Sequence, residues 1–405
     1  MRRLAVLSLH TSPLAQPGSG DSGGMNVYVR QLAAALARSG VACDIYTRAS
    51  SLDPGAVVTV EPGLRVHHVA AGPLAPMAKE DLPAVVEEFT AGVLARMERH
   101  PADAISANYW LSGLAGHALK HRLELPLVST FHTLAREKAA GDVDPEGRAR
   151  AELEVMGCSD AVLASCTVEA AEMAAHYDVD PGRIEIVAPG VDHAFFSPGY
   201  RPQARRALGL EAGGPMLLFV GRIQALKGLD VAVRALAQVV PTVPDAFLVV
   251  VGGPSGLGGE AELARVATLT EEMGLADQVR LVPPQPHELL STFYRAADVC
   301  LVPSRSESFG LVALEAAACG TPVVASAVGG LRTLVDHGQT GFLVQGRDPA
   351  DFAAYTAELL HHPVLAADMA QRAAQRARRY TWSGAAASLR RLCAELTSRS
   401  LVECS

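Results

Sequence analysis

The sequence predicts an α/β protein with two doubly wound parallel sheets, each covered by helices on both faces. Short runs that are apolar along their whole length, such as residues 4–9, alternate with longer amphipathic stretches, such as residues 25–38. Buried strands of a parallel sheet have this character. The 405 residues exceed one domain of ordinary size. A Pro- and Gly-bearing stretch at 188–199 divides them into two parts of similar length.

Each run or stretch predicts one element. In the first part, the predicted strands are residues 4–9, 41–47, 104–107, 127–130 and 161–164, and the predicted helices are 25–38, 82–97, 112–121 and 148–157. In the second part, the predicted strands are 216–220, 247–251, 279–282, 299–302, 323–326 and 342–344, and the predicted helices are 229–239, 260–273, 286–297 and 310–319. The Ala- and Arg-rich C-terminal residues predict helix with one break at 380–382. Ligands bind beyond the carboxyl ends of such strands, so the loops that follow the strands are the candidates for chemistry.

Composition excludes several function classes. The chain carries 35 Lys and Arg against 43 Asp and Glu, a net charge of −8 without a block of like charges, which is a poor basis for binding nucleic acid. No apolar stretch approaches the ~18 residues that a membrane-spanning helix needs. The seven cysteines form no Cys-x-x-Cys pair and lie mostly in apolar runs. We therefore expect them to be small core residues in a reducing, cytoplasmic compartment.

A glycine-rich loop follows the first predicted strand. Gly18, Gly20 and Gly23 match the Gly-x-Gly-x-x-Gly fingerprint of dinucleotide-binding domains, and Asp44 lies ~20 residues beyond. The geometry argues against a nicotinamide cofactor, because the first glycine of that fingerprint directly follows its strand, whereas two prolines intervene here. A flexible loop without a role is one alternative. We favour a loop whose backbone approaches a ligand at a helix N-terminus.

Two cations lie on the short loop that opens the second part. Arg222 and Lys227 fall between a predicted strand and a predicted helix, in the sequence Gly-Arg-Ile-Gln-Ala-Leu-Lys-Gly. A forked guanidinium, a mobile ammonium and backbone N–H groups together suit a pyrophosphate. The loop is not a Walker motif, because it lacks Gly-Lys-Ser/Thr. The alternative is a pair of solvated surface cations.

Two carboxylates follow the predicted strand at 299–302. Glu307 lies in the turn, and Glu315 lies about two helical turns beyond it, in a helix that opens near Gly310. Phosphates favour a helix N-terminus, and carboxylates accept hydrogen bonds from sugar hydroxyls. The neighbours of Glu315 are nearly all apolar. This predicts a buried carboxylate that needs partners rather than a solvated helix residue.

These three motifs in this order resemble family 4 of the retaining glycosyltransferases, over essentially the whole chain. The resemblance implies the GT-B fold, in which two Rossmann-like doubly wound domains face a cleft and the C-terminal helix crosses back to the first domain. It implies an acceptor-binding domain at 1–190, completed by 382–405, and a nucleotide-sugar-binding domain at 191–381. Residues 10–28 are most similar to members that transfer N-acetylglucosamine from UDP-N-acetylglucosamine to 1D-myo-inositol 3-phosphate in mycothiol biosynthesis.

The resemblance also implies roles for individual residues. The donor would be held by Gln16, Pro17, Gly23, Gly24, Arg222, Lys227, Glu307, Ser308, Phe309, Gly310 and Glu315, of which Arg222, Lys227 and Glu307, with His132, would act in catalysis. The acceptor would be held by His10, Asp21, Asn26, Lys79, Tyr109, Thr133 and Arg148. The last four would grip its phosphate. Without the resemblance, Lys79 and Arg148 would be predicted as solvated surface charges.

The implied reaction retains the configuration of the sugar. The acceptor attacks from the front face, and the departing phosphate oxygen takes the acceptor proton while Arg222 and Lys227 neutralise the diphosphate. No cofactor is expected for the chemistry. The resemblance allows for a structural Mg²⁺ held by backbone groups of Tyr294, Arg295 and Ala297, with Thr321. The chain departs from the family at Ser106 and Asn108, where histidines are usual, and at Gln285, where arginine is common.

The expected partners are a UDP-sugar donor and a phosphorylated cyclitol acceptor, with no nucleic acid and no integral membrane. A homodimer is also allowed for. Two alternatives stay open from the sequence. One is a family 4 transferase with a different acceptor, such as another cyclitol, a sugar phosphate or a glycan. The other is a non-catalytic protein that binds a nucleotide sugar.

Overall fold

The chain divides into two compact units. The computed structural model describes residues 1–18, 20–51, 56–137, 144–210, 213–256 and 258–403. The first unit consists of Met1–Ala15, Gly24–Gly190 and Trp382–Ser405, and the second of Gln16–Gly23 and Val191–Thr381. The glycine-rich loop, which was expected in the first domain, thus makes its contacts with the second unit.

Within the described residues, the first unit contains an eight-stranded sheet. Its strands are β1 (Arg3–Leu7), β2 (Ala42–Arg48), β3 (Val57–Glu61), β4 (Leu64–Val69), β5 (Ala104–Asn108), β6 (Leu127–Thr130), β7 (Ala161–Ala164) and β8 (Ile184–Ile186). Across the sheet the order is β3-β4-β2-β1-β5-β6-β7-β8. Every neighbouring pair is parallel except the antiparallel β3–β4 hairpin. The sequence had not predicted β3, β4 or β8. β3 and β8 are partly exposed along their length, whereas β4 is buried at five of its six positions and its apolar residues are interrupted by Arg65, His67 and His68.

The helices of the first unit are α1 (Gly24–Arg38), α2 (Val86–Met97), α3 (Trp110–Leu123), α4 (Pro145–Cys158) and α5 (Thr167–Tyr177), with a 3₁₀ turn at Lys79–Val85. Helices α3 and α4 approach closely at Gly113, where a Cβ atom would lie only 2.7 Å from Val155 Cγ1. The C-terminal helix Trp382–Leu396 also belongs to this unit. Trp382 packs edge-to-face on Tyr28 of α1, with ring centroids 5.9 Å apart.

The second unit contains a parallel sheet whose described strands all coincide with predicted runs. They are β9 (Met216–Val220), β10 (Phe247–Val251), β11 (Val279–Val282), β12 (Val299–Val302), β13 (Val323–Ser326) and β14 (Gly341–Val344). Their order is β11-β10-β9-β12-β13-β14, and each neighbouring pair is parallel. β10 and β12 are buried at every position. The prediction of two doubly wound parallel sheets is therefore confirmed.

The helices of this unit are α6 (Arg201–Ala207), α7 (Leu229–Val239), α8 (Gly259–Glu272), α9 (His287–Ala296), α10 (Leu311–Ala318), α11 (Leu331–Leu334), α12 (Pro349–His361) and α13 (Pro363–Ala377). The predicted single break near the C-terminus is incomplete. A second break separates α12 from α13 at His362, because Pro363 cannot continue the preceding helix and instead opens the next one.

The cysteines agree with expectation at five described positions and differ at one. Cys43, Cys166, Cys300, Cys319 and Cys393 are free and buried. Cys158 is disulfide-bonded, contrary to the expectation of reduced core thiols, and Cys404 lies outside the described residues. None of the described helices combines the length and the apolar character needed to cross a membrane.

Candidate active site

Four residues predicted to grip a phosphate converge in the first unit. Lys79 Nζ lies 5.3 Å from the centroid of the Tyr109 ring, and the Arg148 guanidinium carbon lies 5.1 Å from the same centroid. Arg148 Nη2 donates hydrogen bonds to Thr133 Oγ1 at 3.0 Å and to the Thr133 carbonyl at 2.6 Å. Two cations, two hydroxyls and one ring thus share one small region, which suits a phosphomonoester.

Tyr109 is held in a strained conformation at the carboxyl end of β5. Its φ is +76°, a left-handed value that bulky residues rarely adopt. Its N–H donates to the Thr130 carbonyl at 2.7 Å, which ties it to the end of β6. The Tyr109 hydroxyl is buried and has no hydrogen-bond partner among the described residues. Strain and an unsatisfied donor in one residue indicate a site that a ligand completes.

Arg148 is a buried cation, so the prediction of a solvated surface charge, made from the residues alone, is wrong. Its Nε donates to Glu152 Oε1 at 2.7 Å, one turn further along α4, and both side chains are at least 97% buried. Glu152 also accepts hydrogen bonds from the Ala135 N–H and the Tyr177 hydroxyl. Glu152 therefore fixes the guanidinium from below and leaves its outer edge toward Thr133 and Tyr109.

The remaining predicted acceptor residues divide between the two units. His10 lies next to the residues predicted to grip the phosphate, because the centroid of its ring is 4.5 Å from that of the Tyr109 ring. Asn26 is buried and uses its amide to hold the loop after β1, donating to Thr11 Oγ1 at 2.8 Å and to the Ser12 carbonyl at 2.7 Å. Asp21 is exposed and belongs to the second unit. Its role toward the acceptor stays a prediction.

His132 follows β6 and also has a left-handed backbone, with φ +63°. Its Nε2 lies 2.9 Å from Asn108 Oδ1, and because an amide oxygen only accepts, Nε2 carries the proton. Burial lowers the pKa of His132 to about 3. The ring is therefore neutral at pH 7 and acts by hydrogen bonding. Asn108, a departure from the family pattern, thus holds the predicted catalytic histidine.

In the second unit, the loops after β9 and β12 bring two predicted donor residues into contact. Lys227 Nζ lies 2.6 Å from Glu307 Oε2, and both side chains are about four-fifths buried. Ser304 donates to the same carboxylate oxygen at 3.2 Å. Glu307 is further fixed by its carbonyl, which accepts from the Gly330 N–H at 2.9 Å. An ammonium and a carboxylate are thus paired directly beyond the carboxyl ends of neighbouring strands.

The N-terminal end of α10 follows Glu307 closely in the sequence. Gly310 caps the helix with φ +102°, and a Cβ there would lie 2.6 Å from Leu331 Cδ2, so only glycine fits. Phe309 is buried and packs against Tyr380 with ring centroids 5.7 Å apart. Its side chain is therefore a packing group, and the part of Ser308, Phe309 and Gly310 available to a ligand is mainly the backbone of the turn.

Glu315 is buried as predicted, and both of its oxygens have partners. His287 Nε2 lies 2.7 Å from Oε1, and the Tyr294 hydroxyl donates to Oε2 at 2.8 Å. Burial alone would lower the pKa of His287, but the facing Glu315 carboxylate outweighs it and the pKa is raised. Each carboxylate oxygen retains a second lone pair for a ligand hydroxyl. Sequence reasoning missed His287, because no spacing links the start of α9 to α10.

The glycine-rich loop rests on the strand ends of the second unit. Gln16, which precedes Pro17, donates from its amide to the Pro284 carbonyl at 2.7 Å, and the Ser255 hydroxyl donates to the Gly20 carbonyl. A Cβ at Gly23 would lie 3.2 Å from Arg222 Nε. The bare backbone of the loop thus lies against the guanidinium, while Gly24 begins α1 in the first unit.

The dinucleotide alternative does not fit the structure. β1 ends at Leu7 and α1 begins at Gly24, so no glycine follows the strand directly. Asp44 is buried inside β2 and accepts hydrogen bonds from Arg65 at 2.8 Å and 3.1 Å, with His67 Nε2 at 2.8 Å. Asp44 therefore forms a structural ion pair with Arg65 and is not placed to bind a ribose.

Two of the oxygens predicted for a structural magnesium lie together. The Thr321 hydroxyl donates to the Tyr294 carbonyl at 2.6 Å, and the Ala297 N–H donates to the same carbonyl at 3.1 Å. The Arg295 side chain donates to the Phe195 carbonyl at 2.9 Å, so this residue would serve a cation through its backbone. Oxygens of this kind are the ligands that magnesium prefers. The magnesium site stays a prediction, and no step is assigned to the ion.

The fold and the loops at the strand ends define a sugar-transferring enzyme of the GT-B class. Residues 22–195 match the family described as Glycosyltransferase Family 4, and residues 200–379 match Glycosyl transferases group 1. The chain belongs to the D-inositol 3-phosphate glycosyltransferase family, as its relatives show. It is 46% identical to D-inositol 3-phosphate glycosyltransferase 2 from Catenulispora acidiphila, over 99% of this chain and 95% of that protein.

A second relative bears the same family name, and a solved structure shares the fold. The chain is 50% identical to a D-inositol 3-phosphate glycosyltransferase from Geodermatophilus obscurus, over 87% of this chain and 81% of the relative. Among solved structures, it resembles a sucrose-phosphate synthase from Thermosynechococcus elongatus with a TM-score of 0.91 and 32% identity, covering 98% of this chain and 100% of the other.

Proposed function

We propose that the enzyme transfers N-acetylglucosamine from UDP-N-acetylglucosamine to 1D-myo-inositol 3-phosphate, with retention of configuration, as a step of mycothiol biosynthesis. The observation that carries this proposal is the cluster formed by Lys79, Tyr109, Thr133 and Arg148. A phosphate on the acceptor would give the Lys79 ammonium, the Arg148 guanidinium and the buried Tyr109 hydroxyl, which has no partner among the described residues, one common acceptor of hydrogen bonds. The name shared by the relatives supports the same acceptor.

On the donor side, the diphosphate would be held by Arg222 and Lys227. Lys227 would exchange Glu307 for a phosphate oxygen, and Glu307 would then accept a hydrogen bond from a hydroxyl of the sugar. Glu315, held in place by His287 and Tyr294, would accept from the ribose hydroxyls with its remaining lone pairs. The two cations of the loop would thereby neutralise the charge that develops on the leaving UDP.

The chemical step would proceed at the anomeric carbon. The bond from that carbon to the diphosphate oxygen breaks as the bond to the acceptor oxygen forms on the same face, and the departing phosphate oxygen takes the acceptor proton. Neutral His132 would orient the sugar through a hydrogen bond, because a group with a pKa of about 3 is not a general acid at pH 7.

The test is a comparison of phosphorylated and free acceptors. Wild-type enzyme should prefer inositol 3-phosphate to inositol, and Lys79→Met should reduce this preference ~10-fold by removing one charge-assisted hydrogen bond. Arg99→Met, an exposed cation of the same unit, is the matched control and should change nothing. Equal losses with both acceptors in Lys79→Met would contradict the phosphate site. Mass spectrometry of the product identifies the transferred sugar.

Two other functions give different results in the same assays. A transferase with another acceptor would convert a panel of cyclitols, sugar phosphates or glycans better than inositol 3-phosphate. A non-catalytic protein would bind the UDP-sugar in calorimetry without turnover. We place the enzyme in the cytoplasm, because both proposed substrates carry phosphates and do not cross a bilayer unaided. A homodimer remains a prediction that sedimentation velocity would test.

A further inference from the structure

A group of metal-ligating side chains lies at the far ends of the two helices that carry the acceptor residues. α3 begins directly after Tyr109 and carries His117 and His121, and α4 carries Arg148 in its first turn and ends at Cys158. With a rise of ~1.5 Å per residue, His121 lies ~18 Å along α3 from Tyr109. The group is therefore separate from the acceptor cluster.

We propose that His117, His121 and reduced Cys158 bind a zinc ion. Their ligand atoms lie within 4.8 Å of one another, close to the ~3.3–3.8 Å that separates ligands around tetrahedral zinc. Histidines four residues apart share one face of a helix, as in helical zinc motifs. Two imidazoles and a thiolate form a donor set that favours zinc over magnesium or calcium, which prefer oxygen.

The surroundings of the three ligands favour binding. His117 Nδ1 lies 3.1 Å from Glu154 Oε1, which leaves Nε2 as the ligand nitrogen in a carboxylate–histidine–zinc arrangement. Lys120 Nζ donates to the Cys158 carbonyl at 2.7 Å, with Asp160 at 3.0 Å as its counterion.

The disulfide at Cys158 makes this site dependent on reduction. A dithiol reductant breaks the S–S bond, its own two sulfurs join, and each of the two cysteine sulfurs takes one hydrogen. Zinc then displaces the Cys158 proton, which leaves to solvent. Disulfide and zinc site are thus mutually exclusive states of the same sulfur.

The scaffold beneath the site is rigid. α3 and α4 are in contact at Gly113 and Val155. This contact keeps the two histidines on α3 close to Cys158 at the end of α4. Val402 is bound at the same place, since its carbonyl accepts from Lys120 Nζ at 3.0 Å and its N–H donates to Asp160 Oδ1 at 2.7 Å. Cys404 follows Val402 by two positions in the sequence and lies outside the described residues. The fourth ligand is therefore left to experiment.

The experiment measures zinc in the full-length protein after treatment with a dithiol and removal of free metal. We expect one zinc per chain in reduced wild type, and at least ~100-fold weaker binding in Cys158→Ala and in His117→Ala/His121→Ala. His361→Ala/His362→Ala removes two exposed histidines elsewhere and should bind as wild type. Cobalt(II) added alone to the reduced, zinc-free protein should give a thiolate-to-metal charge-transfer band that Cys158→Ala lacks. Glu154→Gln should weaken zinc ~10-fold.

Two results would overturn the site: no stoichiometric zinc in reduced wild type, or unchanged zinc affinity in both Cys158→Ala and the double histidine variant. Oxidised wild type should bind less than a tenth of the zinc, and equal binding in both redox states would also count against it. Circular dichroism confirms that each variant is folded.

Discussion

Arg148 and Glu152 form a buried ion pair 2.7 Å apart on successive turns of α4. The pair explains how the Arg148 guanidinium can stay charged while it is shielded from solvent beneath the proposed phosphate site. It also makes the two residues dependent on each other, since removing one partner of a buried pair leaves the other charge uncompensated.

Glu152→Gln should therefore destabilise the protein by about 3 kcal/mol, because it leaves Arg148 without its counterion. Urea denaturation at pH 7 measures this change. Glu146→Gln, an exposed acid on the same helix, should cost under about 1 kcal/mol. Similar losses of unfolding free energy in the two variants would show that the buried ion pair stabilises the protein no more than an exposed charge does.

Tyr109→Phe should raise the KM for the phosphorylated acceptor ~10-fold and leave the stability unchanged or slightly higher. The hydroxyl is unsatisfied among the described residues, so its removal breaks no bond in the free enzyme, while a phosphate would lose one donor. Initial-rate kinetics and thermal melting measure the two effects. Tyr200→Phe, at an exposed tyrosine, is the control. An unchanged acceptor KM would speak against the hydroxyl as a ligand.

Lys227→Ala should retain less than about a tenth of the wild-type turnover. The variant removes the ammonium that pairs with Glu307 at 2.6 Å and that we expect to neutralise the leaving diphosphate, a contribution of several kcal/mol. Arg234→Ala removes an exposed cation from α7 and should retain full activity. Single-turnover measurements at saturating UDP-sugar test the difference, and substantial residual activity would remove Lys227 from the mechanism.

Stability should fall in acid because of Asp44. Burial alone would raise the pKa of Asp44, but hydrogen bonds from His67 and Arg65 outweigh it and lower the pKa to about 2. Because the pKa is lower in the folded state, the ionised Asp44 carboxylate stabilises the fold fully at pH values above its unfolded pKa near 4. This contribution, about 2 kcal/mol in all, is lost as the pH falls toward 2. The stability difference between wild type and Asp44→Asn should thus shrink between pH 5 and 2. A constant difference would exclude this linkage.

Most strands were predictable because burial on both faces leaves a continuous run of apolar residues, although β4 was missed because Arg65, His67 and His68 interrupt its buried apolar positions. β10, buried at all five positions, coincides with its predicted run. The edge strand β3 has no such signature, because neighbours cover only part of it. The break at His362 had a local signal, Pro363, that the helical composition around it obscured.

Side chains whose surroundings are assembled from distant segments were harder to predict. Arg148 has the sequence context of a surface charge, and only Thr133 and Tyr109, distant in the chain, reveal it as part of a site. The same holds for His287, which becomes a partner of Glu315 only when α9 and α10 pack together. The resemblance to the family located Arg148 in the site but gave no information on His287.

The left-handed backbone at Tyr109 sets stability and activity against each other at one position. Glycine adopts φ +76° without strain, so Tyr109→Gly would relieve ~1–3 kcal/mol of backbone strain while it removes the ring between the two cations. A mutant library selected for heat resistance alone should therefore accept glycine or asparagine at position 109. A library selected for growth that requires the enzyme to make its product should return to tyrosine. Comparing the two selections would show directly how much stability the acceptor site costs the fold.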